Sequence, residues 1–318
     1  MIVRKGTAPQ DEGEGGGLLV YLSNAGGLTQ FGAYADTLAP GASSSDRHWH
    51  SAEDEFLYVL SGTATVIDNN GPHDLTPGDA AVWRAGVPNA HCVQNRTNAG
   101  CTYLIVGTRI ARDICTYPDS GRRLVNHDTS WEILNTEGTR IKGGDLPPEL
   151  MNLRPDWTPP PADPWPNPSI IRAADARPDA STPGQEAALG AFTARLYSDT
   201  GGLSQFGAFT ETLAPGASSS HRHWHEQEDE FLYVLDGIPT VIEDDGPHLL
   251  GPGDAACWPA GIPNAHHVQN RTDRPCTYLV VGTRLPSDTV HYADIDRLYT
   301  RTNGHITRTR RNGAPLGD

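Results

Sequence analysis

Between residues 50 and 110 the apolar positions come in short runs and never settle into a helical period. FLYVL (56–60), TATVI (63–67), AAVW (80–83), HCVQN (91–95) and TYLIV (102–106) are rich in β-branched and aromatic side chains. Clusters of Gly, Pro, Asn and Asp separate them: NNGPH, TPGD, AGVPNA and NRTNAG. Branched and aromatic chains fit a pleated surface and the intervening residues supply turns, so each run predicts a strand. A strand roughly every ten residues predicts an antiparallel sandwich or barrel. One window, EAALGAFTARLY (186–197), carries an apolar period that suits a helix instead.

The whole pattern then recurs. GGLTQFGAYADTLAPGASSSDRHWH returns as GGLSQFGAFTETLAPGASSSHRHWH, with Gly26 on Gly201. The offset of 175 holds without a gap to Arg109 and Arg284, and 61 of those 84 positions are identical. A weaker echo, TYPDSGRR and HYADIDRL, continues at the same offset, and MIVRK at the start resembles SIIRA (169–173) at a different one. Self-similarity on this scale means one structural unit used twice, as a length of 318 residues also suggests. We expect an N-terminal domain with its tail over 1–125, a connector over 126–168 and a C-terminal domain with its tail over 169–318. The stretch DLPPELMNLRPDWTPPPADPWPNPS is too rich in proline for a helix interior or a central strand. An extended connector is expected there, anchored on the surface by Trp157 and Trp165.

The repeated unit carries a constellation with chemistry in it. In the first copy it is His48-Trp49-His50 followed by Glu55, and in the second His223-Trp224-His225 followed by Glu230. Residues two apart on a strand share a face, so each His-x-His pair presents both imidazoles to one side. Each glutamate opens the strand EFLYVL after a polar segment able to reverse the chain. On that strand Leu57 and Val59 share the face of Glu55, so the carboxylate is expected among apolar neighbours, an expensive place without a compensating cation or hydrogen bonds. A third histidine, His91 or His266, follows a Pro-Gly-Asp turn, a strand and a second turn. Three imidazoles and one carboxylate suit a divalent transition metal with coordination positions left open. The expected ligands are therefore His48, His50, Glu55 and His91, and again His223, His225, Glu230 and His266. Glu53, Asp54, Glu228 and Asp229 beside them read by default as acids of a solvated turn, the alternative being a partner behind the ligands or a general base near a metal. Arg47, Arg222, Trp49 and Trp224 alternate to the other face, where packing or salt bridges account for them.

Composition narrows the partners. There are 39 Asp+Glu against 24 Lys+Arg, a formal charge of −15, which argues against a nucleic-acid partner or a polybasic membrane surface. No apolar run approaches the roughly 20 residues that cross a bilayer, and the N-terminal stretch has no apolar segment of a signal peptide. Five cysteines form no CxxC pair, so reduced thiols in a cytoplasm are expected and thiolate metal sites are not. No GxGxxG, P-loop or GxSxG motif is present, leaving no organic cofactor and no identified catalytic residue.

Each copy resembles the cupin family, whose first motif runs Gly, His-x-His, Glu, Gly and whose second runs Gly, Pro, Gly, His, Asn. Here these are Gly41, His48, His50, Glu55 and Gly62, then Gly78, Gly86, His91 and Asn95; the second copy has Gly216, His223, His225, Glu230 and Gly237, then Gly253, Pro259, Gly261, His266 and Asn270. The chain departs from the pattern at Arg84, which stands in the place of the motif's proline. It also departs in VPNA and IPNA, which lengthen the gap before the third histidine, and in one extra residue between Gly41 or Gly216 and its His-x-His. The resemblance covers 26–109 and 201–284. It implies an all-β protein of two tandem double-stranded β-helix (jelly-roll, cupin) barrels, a bicupin, packed on each other as an intramolecular pseudo-dimer, with further homo-oligomerisation left open. It implies up to two divalent transition metals per chain, among Fe, Mn, Ni or Zn, and a small-molecule substrate or ligand. Dioxygenase chemistry on a chelating metabolite is the leading expectation. Non-redox Lewis-acid chemistry (isomerase, epimerase, decarboxylase or lyase) on a sugar or keto acid is the alternative, and metal-dependent binding without turnover the second.

Overall fold

A computed structural model describes residues 1–13, 17–146 and 168–316. Every strand pairing among them is antiparallel, as the short alternating runs require. In the first half one large sheet runs in the order Ile170–Ile171, Ala80–Trp83, Glu55–Ser61, Cys101–Thr108, Phe31–Leu38, Leu18–Tyr21, Gln10–Glu12. It faces a small sheet of Cys92–Gln94, Ala64–Asp68 and Gly71–Leu75. The second half repeats both sheets, with Ile2–Val3 at the edge beside Ala255–Trp258. Each half is thus a two-sheet jelly roll.

The period of two decides what each face of the large sheets touches. Leu57, Val59, Ala81, Trp83, Cys101 and Tyr103 point inward with Val66 and Val93, forming the interior of the first half. Their neighbours Phe56, Tyr58, Ala80, Val82, Leu104 and Val106 point the other way, into a core shared with Phe206, Phe231, Ala255, Leu279 and Val281 of the second half. The large sheets are therefore apolar on both faces, one filling a jelly roll and one joining the two. Phe31 and Phe206 meet in the shared core with ring centroids 6.3 Å apart.

The halves also exchange strands. Ile170 and Ile171 pair with Ala81 and Ala80 of the first half, while Ile2 and Val3 pair with Ala256 and Ala255 of the second. These are the SIIRA and MIVRK segments, and each completes the sheet of the other copy. Asp54 and Asp229, expected in a solvated turn, are each 1% exposed. Asp54 accepts from the amides of Ser204 (2.7 Å), Gln205 (2.9 Å) and Ala85 (2.8 Å). Asp229 accepts from Thr29 (2.8 Å), Gln30 (2.9 Å) and Ala260 (2.7 Å). Each aspartate clasps a turn of the opposite half.

The helical window is only partly helical. The helix is Pro183–Leu189, started by a capping box in which Thr182 and Gln185 satisfy each other's free backbone amides. It stops at Gly190, whose φ is +85° and whose Cβ position would lie 2.7 Å from Ala217, and Phe192–Leu196 continues as a strand. The segment 126–168 opens with the hairpin Ser130–Leu134 and Arg140–Asp145, which extends a sheet ending on Trp49–His50. Trp157 and Trp165 lie outside the described residues. No described helix is long and apolar enough to cross a membrane.

Replacing Asp229 by Ala strands three amides in or beside the shared core, and each buried amide without an acceptor costs about 1–3 kcal/mol. We expect Asp229→Ala to lower the unfolding free energy by roughly 3–6 kcal/mol in urea titration, with both halves lost in one transition. A separate early transition of one half would show that the clasp does not couple them.

Candidate metal centres

The two strands that carry His-x-His lie across from the strand end that carries the third histidine. His48 and His91 form an antiparallel bridge, as do His223 and His266. Glu55 and Glu230 open the inward face of their strands. The result is one cluster per half. In the second, the Nε2 atoms of His266, His225 and His223 lie 2.8, 3.6 and 3.8 Å from Glu230 Oε2. In the first, His91 Nε2 is 2.9 Å and His50 Nε2 3.9 Å from Glu55 Oε2, and the His48 ring centroid is 5.0 Å from that of His91. The structure thus brings together all eight residues expected from the sequence, four in each half.

The far nitrogen of every ring is held. His48 Nδ1 meets the Asp46 carbonyl at 2.9 Å and His91 Nδ1 the Asn89 carbonyl at 3.2 Å. His223 and His266 do the same with the carbonyls of His221 (3.0 Å) and Asn264 (3.1 Å). His50 Nδ1 and His225 Nδ1 each lie 2.6 Å from a carboxylate, Asp113 or Asp288. These partners only accept, so each Nδ1 carries a hydrogen, and when the ring is neutral its Nε2 lone pair faces the centre. Trp83 stacks on His91 at 3.7 Å and Trp258 on His266 at 3.8 Å, fixing the planes of the third ligands.

The charges suit a cation. Glu55 Oε2 is buried with His91 Nε2 2.9 Å away, and the matching pair, His266 Nε2 and Glu230 Oε2, is 2.8 Å apart. Two acceptors facing each other at that distance need a proton or a metal between them. Burial alone would raise Glu55 and Glu230, but the surrounding imidazoles hold both well below the usual carboxylate range. Burial pushes His223 down to about 4, whereas His225, against its own burial, is carried up to about 9 by Glu230 and Asp288. Three imidazole nitrogens and a carboxylate oxygen at these positions fit a divalent transition metal, and His48, Glu55 and His91, like His223, Glu230 and His266, lie close enough to hold one.

Several residues in these sites were not visible in the sequence. Asp113 and Asp288 follow the second histidine of each pair by 63 positions; the signal was their alignment at the offset of 175, in RDICTY and SDTVHY. Glu53 and Glu228 lie behind the same rings, the alternative that the sequence offered to a solvated turn. Glu53 accepts from the Ile110 amide at 3.1 Å, and burial raises its carboxyl to about 8. Glu228 accepts from Leu285 at 2.7 Å and pairs with Arg301. Cys115 sits across the strand from His50 and within ligand distance of His48 and His50, where the second half has Val290. Arg47 and Arg222 face outward as expected, each in a two-pronged pair, with Asp119 (2.9 and 2.7 Å) and Asp294 (2.8 and 2.6 Å).

In the second half a cavity of about 230 Å³ adjoins the cluster, lined by His223, Glu230 and His266 and also by Glu211, Tyr278 and Phe209. Tyr278 donates its hydroxyl proton to Glu211, and burial raises the Glu211 carboxyl to about 7. The first half keeps the pair as Tyr103 and Asp36, 2.5 Å apart.

Comparison with known proteins agrees with this arrangement. The cupin domain family matches residues 36–107 and 209–282. No curated protein matches. Among solved structures, an oxalate decarboxylase from Lactobacillus farciminis in complex with formate is 19% identical over 92% of this chain and 88% of its own, with a TM-score of 0.56. The putative glyoxylate-induced protein of Pseudomonas aeruginosa is 15% identical over 86% of this chain and 82% of its own, with a TM-score of 0.55. A sugar phosphate isomerase of the cupin superfamily from Silicibacter pomeroyi is 42% identical over 45% of this chain and 94% of its own, with a TM-score of 0.43. With both halves matching the cupin domain and the two-sheet fold present twice, the chain belongs to the cupin superfamily as a two-domain bicupin.

Proposed function

We propose that this chain is a metal-dependent enzyme acting on a small, oxygen-chelating metabolite, with one metal in each of the units 1–125 and 169–318. The observation that carries the reading is the anchoring of the histidines: all six Nδ1 atoms lie at hydrogen-bond distance from acceptors, so six Nε2 atoms converge on the half-buried carboxylates of Glu55 and Glu230. Such anchoring is what metal ligands require. A divalent metal held there would supply Lewis acidity and open positions for a chelating substrate. His48, His50, Glu55 and His91, or their counterparts, would hold it, and Asp113 and Asp288 would keep His50 and His225 aimed.

Of the reaction classes expected from the sequence, the non-redox one is favoured. A carboxyl that titrates near neutrality shares the second cavity with the cluster, and a group of that kind can take or give a proton at physiological pH. Dioxygenase chemistry has no corresponding support among the residues that line the cavity. Five buried cysteines, none in a disulfide, fit the cytoplasm as the place of action.

Elemental analysis of protein purified without chelator should find metal, up to two atoms per chain. His48→Ala and His223→Ala should each remove one of them. Chelated protein that gains no thermal stability from Fe, Mn, Ni, Co or Zn would overturn the reading. Oxygen uptake with chelating hydroxy and keto acids should stay at background; uptake dependent on both substrate and metal would restore the dioxygenase.

The carboxylates behind the rings give a second expectation. Asp288→Ala should weaken metal binding at the C-terminal site by about 10–100-fold in competition with a chromogenic chelator, leaving the N-terminal site unchanged. Unaltered affinity would show that Asp288 does not orient His225.

A further inference from the structure

Glu211 and Tyr278 lie on the inward face of neighbouring strands, opposite each other in the register. Glu230 stands one strand further over, level with Gly282. Four residues along that strand therefore separate the level of the cluster from the level of the pair, and the cavity touches both. Between them Leu232, Val280 and Phe209 form an apolar wall. The cavity is polar at the cluster, polar at the pair and apolar in between.

A carboxyl kept at 8% exposure beside leucine, valine and phenylalanine is costly. An apolar residue of similar size would fill the place at less expense. Yet both halves keep an acid and a tyrosine there, Asp36 with Tyr103 and Glu211 with Tyr278. The acid differs by one methylene, and its neighbour two residues earlier differs as well: Tyr34, held by Arg109 at 3.0 Å, against Phe209. The pair is kept while its reach changes, as suits a group that meets a ligand and not one that only fills the interior.

We propose that Glu211, positioned by Tyr278, is the specificity-determining residue of the C-terminal cavity and recognises a hydroxyl at the end of the ligand away from the metal cluster. The ligand class is then a short hydroxy acid: a 2-hydroxy carboxylate that chelates at His223, Glu230 and His266, with a further hydroxyl one or two carbons on. At about 30 Å³ per water, 230 Å³ corresponds to roughly seven waters, room for a ligand of a few carbons. At neutral pH the Glu211 carboxyl is present both with and without its proton, so it can donate to or accept from that hydroxyl. Tyr278 holds one of its oxygens and so fixes its direction. In the first half the shorter Asp36 reaches less far into the interior, so selection by a distal hydroxyl belongs to the second site. This proposal rests on the metal reading above.

The test uses the full chain carrying His48→Ala and loaded with Mn²⁺, so that only the C-terminal site is read. Metal content is assayed first; a chain that binds no metal there refutes the metal reading, whereas the outcomes below, in metal-loaded protein, bear on Glu211 alone. Calorimetry then compares racemic glycerate with lactate, and 2,4-dihydroxybutyrate with 2-hydroxybutyrate. The additional hydroxyl should tighten binding about tenfold in at least one pair. Glu211→Met should reduce that preference to within about twofold while metal content holds. Tyr278→Phe, which frees the carboxyl from its partner, should change the preference at least about threefold and carries the test if Glu211→Met does not fold. No preference in the parent chain, or the same preference in both variants, overturns the proposal; a loss of stability with the preference intact assigns the pair to the interior alone.

Discussion

The two halves are clasped through Asp54 and Asp229, and the geometry of both clusters depends on that clasp. Each aspartate is buried, each takes two amides from a turn of the opposite half and one from its own, and each immediately precedes a glutamate of the cluster. The start of the strand that carries Glu55 is therefore set by Ser204 and Gln205, and that of Glu230 by Thr29 and Gln30. The exchanged edge strands add to this, since Ala80–Trp83, which carries the tryptophan stacked on His91, is flanked by Ile170–Ile171 from beyond the connector. Neither half completes its own sheet, and a change at the shared core is felt at both clusters.

Eight like-for-like residues make the two centres look equivalent, and their surroundings make them unequal. The rings are anchored alike, with carbonyls behind two and a carboxylate behind the third. The walls differ: Cys115 against Val290, Asp36 against Glu211, Tyr34 against Phe209, Cys92 against His267. A sulfur lies beside His48 and His50 in the first half only, and a longer acid gives the second a different reach. Duplication preserved the eight residues of the clusters while the residues around them diverged.

What could be read from the chain followed the range of the rule applied. His-x-His with a glutamate five residues on is a local pattern, and strand alternation alone puts the rings on one face; the third histidine needed only a count of turns. The acids around them went the other way. Glu53 and Asp54 sit between polar residues and read as solvated, because nothing nearby in sequence announces that Gln205 or Ile110 will cover them. Asp113 is 63 residues from the ring it orients, and Cys115 two further on, beyond the reach of any spacing rule. The helical period of 186–197 failed at Gly190, where contact with Ala217 decided the backbone.

The sequence by itself determined the duplication, the all-β class, the order of the strands and the eight residues that form the clusters. Each of these depends on periodicity or spacing within a few residues, or on comparison of the chain with itself. Only the tertiary structure decided that the halves exchange edge strands, that Asp54, Glu228 and Asp229 are buried and Glu53 half-buried instead of solvated, which nitrogen of each histidine faces inward, and that Glu211 and Tyr278 share a cavity with one cluster. Those outcomes depend on which atoms from distant parts of the chain come within hydrogen-bond reach, and burial converts an ordinary acid into a clasp, an anchor or a recognition group according to what lies across from it.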